Sequence, residues 1–255
     1  MIRILLTGAA GKMGRALASL AQTRDEFAVN AGIDINAASL PLTQDFPVFS
    51  CFSECNIKSD IIIDFSHHTA LEGILVYAQA EHLPVIIATT GHTAAELSLI
   101  HSAKSQIPIF YSRNMSLGIN VLIELVRRAA SALGGFDIEI VERHHNRKID
   151  APSGTAYMLA DAASDALTYP PHYQCGRQTQ RSPGEIGIHA VRGGTIVGDH
   201  EVIFAGHDEI ITLSHSAQSR EIFAEGALCA AAYLIGKPPG LYTMHMLLSE
   251  HEGER

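Results

Sequence analysis

The segment VERHHNRKIDAPSGTAYML, Val141 to Leu159, gathers two adjacent histidines, two arginines and a lysine just ahead of Ser153-Gly154-Thr155. An imidazole titrates near neutral pH, so a histidine here can give or take a proton. A helix beginning near Ser153 turns the backbone N–H groups of Gly154 and Thr155 toward any nearby carboxylate. Lys148 and one or both histidines can converge on the same anion, with glycine leaving room for it and Pro152 stiffening the entry. That arrangement suits a small di-acid. As neighbours on a strand, His144 and His145 point to opposite faces, so one can donate a proton while the other binds. A metal site needs a third ligand at suitable spacing, and none adjoins, so no metal is expected. Glu142 and Asp150 interrupt the cations, which argues against a nucleic-acid patch and leaves a solvated basic strand end as the plain alternative.

A second chemical pattern stands near the start. TGAAGKMGR, Thr7 to Arg15, places Gly8, Gly11 and Gly14 three residues apart after an apolar run. Such a loop makes a tight turn, lets backbone approach a pyrophosphate and sets the anion on a helix N-terminus. The common dinucleotide fingerprint has glycine where Ala10 stands. Asp34 follows about 20 residues further on, where an acidic side chain accepts hydrogen bonds from a ribose. Ile35 and Asn36 come next, with no arginine to receive a 2′-phosphate. The expected cofactor is NADH in preference to NADPH.

Both patterns need elements to hold them. Ile2–Thr7, Phe27–Asp34, Asp60–Phe65, Leu83–Gly91 and Ile107–Ser112 read as strands, the later two running into turns. Their apolar runs lack alternation, as in a parallel sheet covered on both faces. Arg15–Thr23, His68–His82 and Ala94–Ser102 have helical spacing between them. This half is expected to be a Rossmann-like, doubly wound α/β sheet. The pattern then changes. Ser116–Leu133 reads as a long amphipathic helix with Ser116 as N-cap, Phe136–His145 as a half-solvated strand and Ser153–Leu167 as a helix. Pro170–Pro183 is polar and punctuated by prolines, so a mobile loop is expected. Ile186–Val191, Ile196–Phe204 and Glu209–Ser214 are successive strands, and Arg220–Leu234 is an alanine-rich helix. Strands without intervening helices predict a second, α+β domain.

The chain has 255 residues, 47% hydrophobic and 18% charged, enough for a packed core. A net charge of −9 argues against nucleic acid or anionic membrane as a general partner. No apolar run approaches the roughly 18 residues that span a bilayer. The N-terminal run passes straight into glycines, so it reads as a strand and not a signal peptide, and a cytoplasmic protein is expected. Cys51, Cys55, Cys175 and Cys229 form no CxxC pair and are expected to be reduced structural thiols.

ERHHNRKIDAPSGTA resembles the signature E-x-H-H-x-x-K-x-D-A-P-S-G-T-A of the dihydrodipicolinate reductase family, and the likeness runs through the chain. It includes GAAGKMGR, DFS at Asp64–Ser66, ATTGH at Ala88–His92 and SRNMSLGINVL at Ser112–Leu122. GEIGIHAVRGGTIVGDHEVIFAG at Gly184–Gly206 and LSHSAQSR at Leu213–Arg220 follow in order.

The resemblance implies a reductase of lysine and diaminopimelate biosynthesis. Its dinucleotide-binding domain would span 1–115 and be completed by 221–255. A substrate-binding and oligomerisation domain would span 116–220, within a homotetramer. His144 corresponds to the family's acid/base histidine and Lys148 to its proton-donating lysine. His145, Ser153, Gly154 and Thr155 match positions that hold substrate carboxylates, and Arg220 joins them. The cofactor segments match Gly8, Ala9, Ala10, Gly11, Lys12 and Met13, then Asp34. Ala88, Thr89 and Thr90 follow, and finally Ser112, Arg113, Asn114 and Met115. The implied chemistry is hydride delivery from NADH or NADPH to C4 of a conjugated cyclic imine, with His144 or Lys148 protonating the resulting enamine.

The departures are Ala88 where glycine is usual, Met115 where an aromatic is frequent, and Ile35 in place of a basic residue. Two rival readings are a dehydrogenase for another amino-acid imine or semialdehyde, and an NADH-binding sensor without turnover.

Overall fold

The computed structural model describes residues 1–37 and 45–253; the last two residues of the 221–255 segment lie outside it. The chain divides into two compact units, Met1–Ser116 with Arg220–Arg255, and Leu117–Ser219.

The first unit is a seven-stranded parallel sheet. Its strands are β1 (Ile2–Thr7), β2 (Phe27–Ile33), β3 (Val48–Phe49), β4 (Ile61–Asp64), β5 (Val85–Ile87), β6 (Pro108–Tyr111) and, after the second unit, β12 (Gly240–Tyr242). The order β12-β6-β5-β4-β1-β2-β3 reverses beside β1, as a doubly wound sheet must. β4 and β5 are buried along their whole length, which explains the apolar runs Ile61–Ile63 and Val85–Ile87. On one face Leu5, Ile62, Val85 and Ile87 pack with Leu71, Ile74 and Leu75 of α2 (Leu71–Glu81) and Ile100 of α3 (Ala94–Ala103). α1 (Lys12–Ala21) packs against α6 (Glu221–Leu234), which also lies on β4, β5 and β6. α7 (Met244–Gly253) ends the unit.

The second unit is a five-stranded mixed sheet in the order β11-β10-β7-β9-β8. These strands are β7 (Asp137–His144), β8 (His172–Cys175), β9 (Glu185–Arg192), β10 (Gly198–Ala205) and β11 (Ile210–Ala217). α4 (Leu117–Ala132) and α5 (Gly154–Ala166) supply Ile119, Leu122, Val126 and Leu159 to one core with Ile138, Ile140, Ile186, Ile188, Val202 and Phe204. The last six come from alternate positions on three strands, so one sheet face meets both helices.

The doubly wound sheet and the α+β second unit follow the sequence expectation. Three local expectations are corrected. The Pro170–Pro183 stretch contains β8, a polar edge strand paired parallel to β9. Pairing made by a distant segment overrides local polarity, and an edge tolerates the flanking prolines. Helix α1 begins at Lys12, inside the glycine loop, with Gly11 as N-cap. His68–Ala70 forms a 3-10 turn before α2, because the His67 ring accepts from the Thr69 amide and caps the turn.

Candidate active site

The second-unit site is built at one end of β7. Burial alternates along that strand, so Ile138, Ile140 and Glu142 all face the core, and His144 continues the row. On β10 the same alternation turns His200, Val202 and Phe204 inward, and His200 is the direct cross-strand partner of Glu142. A carboxylate and an imidazole thus occupy core positions where the start of α5 closes the sheet end.

Glu142 is fully buried, and its carboxylate gathers four donors. Oε2 accepts from His144 Nδ1 at 2.6 Å and from Arg192 Nη1 at 2.8 Å. Oε1 accepts from Arg192 Nη2 at 2.7 Å and from the Ser153 amide at 2.9 Å. Burial alone would raise its pKa, but the hydrogen bonds from His144 and Arg192 outweigh that and hold it at about 2. The Arg192 guanidinium is raised in turn, chiefly by its hydrogen bonds to Glu142. Ser153 is the N-cap of α5, its hydroxyl accepting from the Ala156 amide at 3.1 Å. The same hydroxyl meets His200 Nε2 at 3.0 Å. Burial, then the nearby His144, pushes the His200 imidazole down to about 4, so it is neutral at physiological pH. The His144 and His200 rings meet edge to face at 5.2 Å.

Lys148 sits on the loop between β7 and α5, its Nζ 2.8 Å from Asp150 Oδ1. Burial alone would raise Asp150, but the hydrogen bond from Lys148 leaves it below the ordinary carboxylate range. Arg192 Nη2 also donates to the Asp150 carbonyl at 2.7 Å, so the lysine's loop is tied to the Glu142 network. His145 follows β7, and its carbonyl accepts from the Lys148 amide at 3.1 Å. Gly154 and Thr155 form the first turn of α5, and a side chain at Gly154 would enter open space. His144, His145, Lys148, Ser153, Gly154 and Thr155 therefore lie on one strand end, one loop and one helix start. Arg220 is in the first unit, at the N-cap of α6.

The first-unit site lies at the carboxyl ends of β1, β4, β5 and β6, where a doubly wound sheet binds ligands. Gly8 has φ +72, and a Cβ there would stand 2.5 Å from the Phe65 carbonyl oxygen. A Cβ on Gly14 would stand 2.3 Å from the Gly8 carbonyl oxygen. No side chain caps the start of α1, where Gly11, Lys12 and Met13 lie, which leaves its positive end suited to a pyrophosphate. Asp34 accepts from the Ala10 amide and the Asn36 amide, both at 3.0 Å, fixing loop and acid together. The next strand end carries Asp64, 1% exposed. It gathers Thr7 Oγ1 at 2.6 Å, Ser66 Oγ at 2.5 Å and Thr89 Oγ1 at 2.6 Å. Ala88 donates its amide to the Asp64 carbonyl, and Thr90 follows in the same turn. After β6, Ser112 Oγ donates to the Asn114 carbonyl at 2.7 Å, so the Ser112–Arg113–Asn114–Met115 turn is internally braced. Gly226 of α6 backs it, since a Cβ there would fall 1.7 Å from the Met115 oxygen. A glycine cradle, an uncapped helix start and an acid beyond β2 fit a dinucleotide.

Sequence reasoning passed over Glu142, Arg192, His200 and the hydroxyl-gathering role of Asp64. Glu142 had a signal: it stands two residues before His144, on the same strand face. Arg192 and His200 had none, because their nearness depends on the register of β9 and β10 against β7.

Fold and site together define a class: two-domain oxidoreductases built on a nucleotide-binding Rossmann sheet. The family description "Dihydrodipicolinate reductase, N-terminus" matches residues 2–115, and "Dihydrodipicolinate reductase, C-terminus" matches residues 118–248. The chain belongs to the dihydrodipicolinate reductase family. The 4-hydroxy-tetrahydrodipicolinate reductase of Caldanaerobacter subterraneus subsp. tengcongensis is 56% identical over 253 residues, spanning 98% of this chain and 99% of its own. That of Clostridium tetani is 44% identical over 252 residues, spanning 98% of each. The solved structure of dipicolinate-bound dihydrodipicolinate reductase from Paenisporosarcina sp. TG-14 shares the fold, with TM-score 0.78 and 24% identity over 95% of this chain and 97% of that one.

Proposed function

We propose that this protein converts 4-hydroxy-tetrahydrodipicolinate to tetrahydrodipicolinate in lysine and diaminopimelate biosynthesis: the 4-hydroxyl leaves as water to give the conjugated imine, which NADH or NADPH then reduces at C4. Family membership supports the reaction. The observation that carries the residue assignment is the buried Glu142 carboxylate, which joins the His144 imidazole to the start of α5. In this reading residues 1–115 and 221–255 hold the dinucleotide, while residues 116–220 hold the di-acid.

The dinucleotide, when bound, supplies the hydride. Gly8, Ala9, Ala10, Gly11, Lys12 and Met13 hold its pyrophosphate, Asp34 its ribose, and the Ala88–Thr90 and Ser112–Met115 turns its nicotinamide half. The Ser153 hydroxyl and the Gly154 and Thr155 amides receive one substrate carboxylate, at the positive end of α5. His145 completes the clamp. His144 Nε2 or Lys148 Nζ delivers the proton to the reduced ring, in a site whose cations already favour the di-anion.

NADH is the preferred form. A 2′-phosphate would face the Asp34 carboxylate, and Ile35 beside it, 88% exposed, offers no charge. We further propose a cytoplasmic homotetramer. Val191, Ile210 and Ile211, exposed on β9 and β11, would lie within its contacts.

The test is loss of NADH absorbance when freshly generated di-acid is added, with NADPH run in parallel. Rapid di-acid-dependent oxidation is expected, faster at low dinucleotide with NADH. Tight NADH binding without oxidation would replace this reading with that of a sensor.

A further inference from the structure

We infer that Glu142 is the positioning residue of the proton donor: it fixes the tautomer and ring orientation of His144, and Arg192 is the counter-charge that keeps it in that role. The inference rests on the reading of His144 as the acid/base group. An ionised carboxylate has about four lone-pair positions, and in Glu142 they face His144 Nδ1, two Arg192 nitrogens and the Ser153 amide. Such a carboxylate can only accept, so the proton between it and His144 belongs to Nδ1. Nε2 is then the nitrogen that exchanges a proton with a ligand.

Gly198 on β10 lies under the ring, and a Cβ there would stand 3.0 Å from His144 Nε2. A side chain at this position would crowd the atom that Glu142 presents. The bidentate Arg192 contact keeps a wholly buried carboxylate charged, which an unpaired site in the core could not do. The same carboxylate takes the Ser153 amide, so the acid and the start of the carboxylate clamp are held by one side chain. Arg192 extends the arrangement to the Asp150 carbonyl, two residues from Lys148.

Glutamine at 142 keeps the shape and inverts the chemistry. Its amide nitrogen, set toward His144, donates to Nδ1 and makes Nε2–H the neutral tautomer. The experiment reads the nitrogen resonances of His144 in full-length protein labelled with ¹⁵N-histidine, beside steady-state kinetics. In the unaltered protein neutral His144 should carry Nδ1–H. In Glu142→Gln it should carry Nε2–H, and kcat should fall on the order of 100-fold. KM for the di-acid should change at least tenfold less. An Nε2–H tautomer in the unaltered protein overturns the inference whether or not the variant folds. So does a folded Glu142→Gln that keeps both the Nδ1–H tautomer and the kcat of the unaltered protein. If the unaltered protein fails to turn over the di-acid, the functional reading falls, while the tautomer still decides the place of Glu142.

Discussion

Replacing His200 by glutamine removes a buried titrating group and leaves an amide able to reach the Ser153 hydroxyl. Burial first, and His144 second, hold the native imidazole at about 4 against an ordinary value of 6.5, in a side chain only 4% exposed. Between those values the unfolded chain binds a proton that the native chain refuses. Native stability therefore falls as pH drops through that window and is restored as pH rises. The full gap is worth about 3 kcal/mol, of which about 2 kcal/mol is lost between roughly pH 6.5 and 4.5. Glu142 and Glu185, both held at about 2, add their losses chiefly below the ordinary value of 4.5. His92 and His215 are also lowered, burial being the main cause, so the measurement is the difference between two proteins. Urea unfolding followed by circular dichroism across that range should show the unaltered protein losing about 1 M more in midpoint than His200→Gln, for a slope of about 2 kcal/mol/M. Parallel pH profiles for the two proteins would refute the claim that His200 is neutral in the core.

Other outcomes follow from single contacts. His144→Ala and Lys148→Ala should each lower kcat by roughly 100-fold or more while NADH binding, followed by fluorescence titration, is kept; an unchanged kcat in either removes that residue from the mechanism. Gly14→Ala drives a Cβ to 2.3 Å from the Gly8 oxygen and 2.8 Å from Ala9 Cα, both backbone atoms. It should cost about 1–3 kcal/mol and weaken dinucleotide binding. Gly73→Ala in α2 meets nothing within 4 Å and should gain roughly 0.5–1 kcal/mol. Calorimetric melting of both variants checks the order, and a more stable Gly14→Ala would deny the close approach. On the proposed reading of Asp34 as the ribose acceptor, Ile35→Arg adds a cation next to it and should shift the kcat/KM ratio toward NADPH; an unaltered ratio would place cofactor choice elsewhere.

The sheet of the first unit was legible because its strands are buried on both faces: Asp60–Phe65 and Leu83–Gly91 carry apolar runs that only covered strands tolerate. Strands of two or three residues, such as Val48–Phe49 and Gly240–Tyr242, carry too few side chains for any period, and β8 owes its existence to β9. In the site, the Ser153 cap could be read from its type and position, and Glu142 from its parity with His144. Arg192 and His200 could not be read, because cross-strand register decides which residues of separate strands become neighbours. Asp64 shows the same limit: its three hydroxyl partners come from the ends of β1 and β5 and from the turn after β4.

The first unit is written in two pieces, and its edge strand β12 and helices α6 and α7 come after all of the second. During synthesis the first 116 residues emerge with β6 lacking its outer neighbour and with no α6 behind the Ser112–Met115 turn. At translation rates of about 5–20 residues per second, that exposed edge persists on the order of ten seconds before Gly240–Tyr242 arrives. The intervening segment, Leu117–Ser219, is continuous and holds every strand of its own sheet. It can close before α6 and β12 are made, whereas the sheet of the first unit lacks its edge strand and the helix behind β6 until that later segment arrives. The unit whose first strands are made earliest is therefore the last to have all of its elements.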